Sequence, residues 1–502
     1  VGANVGANDY SPLPGGFDPA QGTVRRAVVT CPACGASIEA KTTRRLFRTV
    51  GANDRSPAGQ RMVAVVYTRA GQRGKFYRLP TEADLQAYRA AEKALVGARQ
   101  RLAQEWGMEP VPDEPLPPRG TLGFRVQGYG LDTWGKLFNP RQQLALVTFA
   151  DAVRRAHAAM LAQGYAEDFA QAVATYLGLI VSRCSDFESM LVRWFNHVEN
   201  SCNTFARQAL AMTWDYFELN LLSPVSQGTW ASMYRQFSRA MGIMIVPYAM
   251  LGQHMEGVDW QRENLRSSAF ICVPSPTVTQ SSATQLSYPD NHFDAVLTDP
   301  PYYDNVPYSY LSDFFYVWLK RSVGHLYPEL FSTPLTPKAG EIVAYSHDEG
   351  GFEAGKRFFE EQLALSFREM HRLLKPGGIA VIVYAHKSTA GWETVINALL
   401  DSGLVVTAAW PLNTEMKSRL RASDSAALAS SIYIVARKPA LSSGEGAARQ
   451  GVGFYHEVRR ELRDYLDTKL QRLWEEGVGG ADFFIAAIGS GICLLYTSDS
   501  AD

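Results

Sequence analysis

The sequence predicts an α/β chain with a helical domain ahead of its sheet, and three observations carry that prediction. Ala295–Thr298 is a short apolar run that stops at Asp299-Pro300-Pro301-Tyr302, the form of a buried strand entering a stiff loop. Gly351–Leu374 repeats Phe359, Leu363, Phe367, Met370 and Leu374 at helical spacing. Lys375-Pro376-Gly377-Gly378 ends it, and Ile379–Tyr384 follows as the continuous apolar run of a strand covered on both faces. Helical periodicity dominates Pro140–Met241.

Size and composition set the bounds. The 502 residues are enough for two or three domains and a large core. With 49 basic against 50 acidic residues, any surface suited to a polyanion must be local. No apolar run is long enough to span a bilayer and no secretory signal is visible. Six cysteines make no disulfide framework, so a reducing cytoplasm is expected. The chain opens at Val1 without methionine and carries Val-Gly-Ala-Asn three times. Its end, Gly491–Asp502, reads as non-native, so a fragment of a longer gene product is expected.

In chain order, residues 1–23 read as a Gly/Pro/Asn-rich loop and 24–108 as a small unit. Within that unit Cys31-Pro-Ala-Cys34-Gly is a zinc-knuckle half-site, two thiolates where a structural zinc needs four ligands. Arg25, Arg26, Lys41, Arg44, Arg45 and Arg48 surround it, either a phosphate-contacting patch or a solvated face. Arg61–Leu79 reads as a hairpin turning at Gly71–Gly74, and Thr81–Trp106 as a helix with a capping box from Thr81 to Asp84. The proline-rich 109–122 reads as a linker, and 123–265 as a helical domain. Its expected helices are Pro140–Gln163, Glu167–Arg183, Phe187–Asn196, Asn203–Leu221 and Trp230–Met241. Tyr129, Trp134 and Arg141 could meet a ligand or pack between domains; His197 reads as structural. Residues 266–440 form the sheet region, with Ala269–Val273 and Thr277–Thr279 as further strand candidates. A helix is expected at Tyr310–Lys320, another at Gly391–Ser402, and last strands at Val405–Trp410 and Ser431–Arg437, with a loop at Glu415–Ser430. Residues 441–502 hold a charged helix at Tyr455–Glu476 and the tail.

The chemistry concentrates at Asp299–Tyr302. Asp299 is a charged acceptor, Pro300 and Pro301 leave carbonyl acceptors without N–H donors, and Tyr302 and Tyr303 are flat rings. Acceptors beside a flat ring suit an amino group on a heterocycle. They take its two N–H bonds and draw the lone pair out of ring conjugation, while the ring stacks on the base. The bland alternative is a turn after a core strand. The tetrapeptide resembles the DPPY motif of amino-group DNA methyltransferases.

More broadly, Cys31 to Lys438 resembles the adenine-specific DNA methylases that contain a zinc ribbon. The resemblance lies in TDPPYYDNVPYSYLSDFFYVWLKR, LTPK, AHKSTAGWE and LRASDSAALASSIYIVARK, with GYGLDTWGKLFNPRQ and NTFARQAL upstream. It implies the C-terminal part of a Rossmann-like class I methyltransferase sheet, with a helical insertion domain and an N-terminal zinc-ribbon-like remnant. It implies S-adenosylmethionine as cofactor, DNA as partner, and zinc in the full-length protein; a place in restriction-modification is compatible with it. Carried over by position, Asp299, Pro300, Pro301 and Tyr302 would be catalytic. Thr298, Asp299 and Lys387 would face the cofactor, Tyr302, Tyr303, Asp304 and Asn305 the base, and Cys31 and Cys34 a metal. The departure is the glycine-rich loop that receives the cofactor's methionine part: no such run follows a strand here. Two further readings stay open, an acceptor amine on cytosine and a DNA-binding protein that keeps the sheet as scaffold.

Overall fold

The computed structural model describes residues 23–31, 34–48, 59–69, 71–206, 208–224, 226–249, 277–303, 306–344, 351–385, 389–413, 430–440 and 455–475. They divide into two units, Val1–Pro274 with Tyr308–Ala339, and Ser275–Pro307 with Gly340–Asp502.

The first unit opens with an antiparallel sheet of β1 (Val24–Arg25), β2 (Val28–Thr30) and β3 (Ser37–Ile38), followed by α1 (Ala40–Arg48). A hairpin, β4 (Val65–Tyr67) with β5 (Phe76–Arg78), leads to α2 (Glu82–Trp106). The capping box forms: the Thr81 N–H donates to Asp84 Oδ2 at 2.7 Å, and Arg78 adds two bonds to the same carboxylate. These bonds hold the Asp84 carboxyl well below the usual carboxylate range. Next come α3 (Pro140–Ala162), whose N-cap Asn139 accepts from the Arg141 and Gln142 N–H groups at 3.0 Å, and α4 (Glu167–Ser185). A second hairpin, β6 (Trp194–Phe195) with β7 (Asn200–Ser201), precedes α5 (Trp230–Ala249); α6 (Tyr308–Val323) completes the unit. Gly178 on α4 lets α6 come close, since a Cβ there would lie 2.6 Å from Val323.

Three expectations for this unit are corrected. Phe187–Asn196 and Asn203–Leu221 are not helices. Asp186 is buried, accepts from Asn203 at 2.9 Å and the Phe205 N–H at 3.1 Å, and its carbonyl takes the Thr204 N–H at 2.6 Å. The 203–205 segment is thus committed to Asp186, 17–19 residues earlier, and not to a helical ladder of its own. The expected linker at 109–122 is packed: Val111 and Leu116 are buried, and Arg321 on α6 donates to the carbonyls of Glu109 and Val111. His197 lies exposed on the β6–β7 turn.

The second unit holds the sheet. β8 (Phe293–Thr298) runs parallel to β9 (Leu374–Tyr384), and α7 (Gly351–Leu373) leads straight into β9. Then come α8 (Thr389–Ser402), β10 (Val405–Asn413), β11 (Ser430–Arg437) and α9 (Tyr455–Glu475). Strand order is β10-β11-β9-β8, with β11 antiparallel to both neighbours. The core lies on one face, where Phe359, Leu363 and Phe367 of α7 and Trp392, Val395 and Leu399 of α8 cover Ala380, Ile382, Ile432 and Ile434.

This sheet also departs from the sequence expectation. Ala295–Thr298 is not a buried strand: among the described residues β8 is at the sheet edge, and Leu297 is 77% exposed. Among the described residues β9 is covered unequally: Ala380, Ile382 and Tyr384 are buried, and the alternating Val381 and Val383 are half-buried. The Lys375–Gly378 stretch bulges within β9 rather than standing between helix and strand. Thr277–Thr279 is irregular, with Val278 exposed. The candidate strand Ala269–Val273 and the loop Glu415–Ser430, apart from Ser430 itself, lie outside the described residues, as do 1–22 and 476–502.

Candidate amine-binding site

β8, β9 and β10 end at the same edge of the sheet, because all three run in one direction. At the carboxyl ends of parallel strands the chain must turn away, and ligands bind there in open α/β sheets. β8 ends in Thr298, paired with Ile382 on β9, and the next residues are Asp299-Pro300-Pro301-Tyr302.

Asp299 is exposed, and no bond within the described residues engages its carboxylate. Pro300 is buried and rigid. The Tyr303 N–H donates to the Pro301 carbonyl at 3.2 Å, whereas no backbone N–H of the described residues takes the Pro300 carbonyl. One carboxylate and one carbonyl are thus left as acceptors side by side in the chain. Tyr302 is half-buried, with the ring of Tyr384 edge-on at 5.6 Å. Tyr384 in turn meets Trp392 edge-on at 5.1 Å and donates its hydroxyl to the Gly391 carbonyl at 3.2 Å. This ladder of rings, from loop through β9 to α8, fixes where Tyr302 can sit.

Tyr303 does something else. Its φ is +49°, a left-handed conformation that costs a side-chain-bearing residue of the order of 1 kcal/mol or more. Its ring is buried, edge-on to Phe359 at 5.1 Å and to Phe352 at 6.2 Å, and its carbonyl accepts the Ala344 N–H at 3.1 Å. Packing on α7 holds the strained turn, so Tyr303 anchors the loop from beneath. Tyr384 and Trp392 were not singled out from sequence. Their signals were present: an aromatic at the last position of an apolar strand, and a tryptophan opening the helix after it. Asp304, Asn305 and Lys387 lie outside the described residues.

The candidate zinc half-site sits on the β2–β3 turn. Cys31 is buried and Cys34 exposed; the Gly35 N–H donates to the Cys31 carbonyl at 2.9 Å. Among the described residues no group of three or more His, Cys, Asp or Glu side chains could hold a metal. Two thiolates are half a tetrahedral set, so these residues do not fit a structural zinc within the described chain. No described helix is long and apolar enough to cross a membrane.

Comparison with protein-family models and with curated proteins returns no match. Among solved structures the chain is similar to TTHA0409, a putative DNA modification methylase of Thermus thermophilus. Identity is 17% over 36% of this chain and 61% of that one, with a TM-score of 0.19. The same protein complexed with S-adenosyl-L-methionine gives 16% identity over 35% and 60% of the two chains, TM-score 0.18. The [4+2]-cyclase SpnF gives 15% over 32% and 55%, TM-score 0.16. The match spans about three fifths of the TTHA0409 chain. Scores at this level do not establish a shared fold, so the site's own geometry has to carry the functional reading.

Proposed function

We propose that the sheet unit is the acceptor side of an amino-group methyltransferase. More particularly, we infer that it serves an S-adenosylmethionine-dependent enzyme acting on the exocyclic amine of adenine in DNA. The observation that carries this is the pairing of acceptors at the end of β8: the unengaged Asp299 carboxylate next to the Pro300 carbonyl, followed by a propped, half-buried Tyr302.

An aromatic amine is a poor nucleophile because its lone pair is delocalised into the ring. Two acceptors that take its N–H bonds favour the pyramidal form, which returns the lone pair to nitrogen. That is a positioning and electrostatic contribution, with no strong base required. Tyr302 offers a face on which a base turned out of its duplex can stack. The cofactor, when bound, supplies an electrophilic methyl group. The described residues give it no glycine-rich loop after a strand, so their fit is to the amine and not to the donor.

The test is the Asp299→Ala variant, incubated with labelled S-adenosylmethionine and DNA and read by mass spectrometry of the nucleosides. The expected outcome is N6-methyladenine from the parent and a loss of roughly a hundredfold or more in the variant. Undiminished methylation by Asp299→Ala would sink the reading, and methylcytosine as product would move the acceptor to cytosine. A readout free of cofactor runs beside it. DNA with 2-aminopurine at the target position reports whether that base is stacked, and Tyr302→Ala, which removes the ring the base moves onto, should change the signal of the complex; an unchanged signal would remove Tyr302 from the base site.

A further inference from the structure

The two hairpins of the first unit touch. Tyr77 on β5 donates its hydroxyl to Glu199 at 2.7 Å, and Lys75 lies over the Trp194 ring at 4.9 Å. Tyr77 and Trp194 also meet edge-on at 6.4 Å. Between the hairpins is a cleft of about 310 Å³ lined in part by Thr68, Lys75, Glu199, Asn200 and Gln227.

The charge on this face is one-sided. Residues 59–79 contain Arg61, Arg69, Arg73, Lys75 and Arg78 and not one acid. Arg78 is paired with Asp84. Elsewhere in the unit Arg89, Arg99, Arg101, Arg141, Arg183 and Arg321 all have carboxylate partners. Arg69, Arg73 and Lys75 have none among the described residues, and neither does the exposed Arg193 that opens the neighbouring hairpin. The only acid on the two turns, Glu199, is engaged by Tyr77.

Flat rings are exposed on the same two hairpins. Phe195 is 45% exposed and Tyr77 50% exposed. Arg69 stacks over Phe76 at 4.4 Å and donates to the Tyr67 hydroxyl at 2.9 Å, which holds its guanidinium on the hairpin surface. Cations without carboxylate partners would track a phosphate backbone, and exposed rings on the same hairpins would stack bases. A duplex hides the faces of its bases, so the rings favour an unpaired strand over a duplex.

We propose that the β4–β5 and β6–β7 hairpins form a binding face for a single nucleic-acid strand, with phosphates at Arg69, Arg73 and Lys75 and a base stacked on Phe195. The face belongs to the first unit and the Asp299 loop to the second, and binding to the face needs no cofactor. Failure of methyl transfer leaves it standing, and its own failure leaves the Asp299 reading untouched.

Fluorescence anisotropy with a labelled oligothymidylate of about 16 nucleotides tests it. The chain should bind, with log affinity falling linearly in log salt. Replacing Arg69, Arg73 and Lys75 together by Gln should lower the salt slope by about 2, at roughly 0.7 per phosphate contact on a single strand. Phe195→Ala should weaken single-strand binding about tenfold or more and leave binding to a duplex of the same length within about twofold. Melting curves establish that each variant folds; should the triple variant fail to fold, Arg73→Gln at the exposed turn carries the test, with a slope loss of about 0.7. Replacing Arg459, Arg460 and Arg463 on α9 by Gln is the control and should change nothing. No binding by the parent at low salt, an unchanged slope in the hairpin variant, an equal loss in the α9 control, or an unaffected Phe195→Ala would each overturn the proposal.

Discussion

Glu188 is where residue-scale chemistry makes a sharp demand. It is buried, and Oε2 has no hydrogen-bond partner among the described residues. Burial, and secondarily the negative charge of Glu218, push its carboxyl well above the usual carboxylate range. The unfolded chain releases this proton in the ordinary range, the folded chain only at higher pH, so between the two the folded state holds more protons. Its contribution to stability is therefore full at acidic pH and is lost as pH rises through that window. Glu188→Gln, neutral at all pH, should raise the melting temperature more at pH 8 than at pH 5. Equal shifts at both would mean that Glu188 is ionised in the native protein. At the same scale Asp299 and Tyr302 were legible in sequence as acceptor and ring. The anchoring role of Tyr303 was not, because a left-handed φ and a partner on α7 leave no mark in a local string of residues.

At the scale of the element, β8 shows how far periodicity reaches. Its existence and its end at Asp299 follow from the apolar run and the prolines. Its exposure follows from strand order, which no single strand encodes: β9 pairs with one side, and no described residue pairs with the other. The row Leu297, Val381 and Val435, in register across three strands, lies on the face that α7 and α8 do not cover. An edge that no described residue pairs, beside the exposed Leu297, invites pairing between copies. Leu297→Lys should reduce self-association in light scattering and leave the circular dichroism spectrum unchanged; the same particle size would show that this edge is not the contact. The two false helices at 187–196 and 203–221 have a kindred cause. Their apolar spacing is compatible with helix, and the buried Asp186 carboxylate draws the backbone elsewhere.

At the scale of the whole molecule, the first unit is assembled from segments far apart in the chain. Arg321 on α6 is buried and donates to the carbonyls of Glu109 and Val111 and to the Glu114 carboxylate at 3.0 Å. One guanidinium thus ties the proline-rich stretch to a helix some two hundred residues later. Arg321→Ala would leave the largely buried Glu114 carboxylate without its cation and should cost about 3–5 kcal/mol in urea unfolding. A loss under about 1 kcal/mol would mean that the stretch is held by its apolar contacts alone.

By itself the sequence determined the alternation of helix and strand, the helix caps and the loop that ends β8. Apolar spacing, prolines and capping side chains act over a few residues and are written in order along the chain. Strand order, the exposure of Leu297, the ring ladder beneath Tyr302 and the meeting of the two basic hairpins were decided only by the tertiary structure. Each depends on residues distant in sequence coming into contact, and a contact of that kind is set by packing the whole chain rather than by any local run of residues.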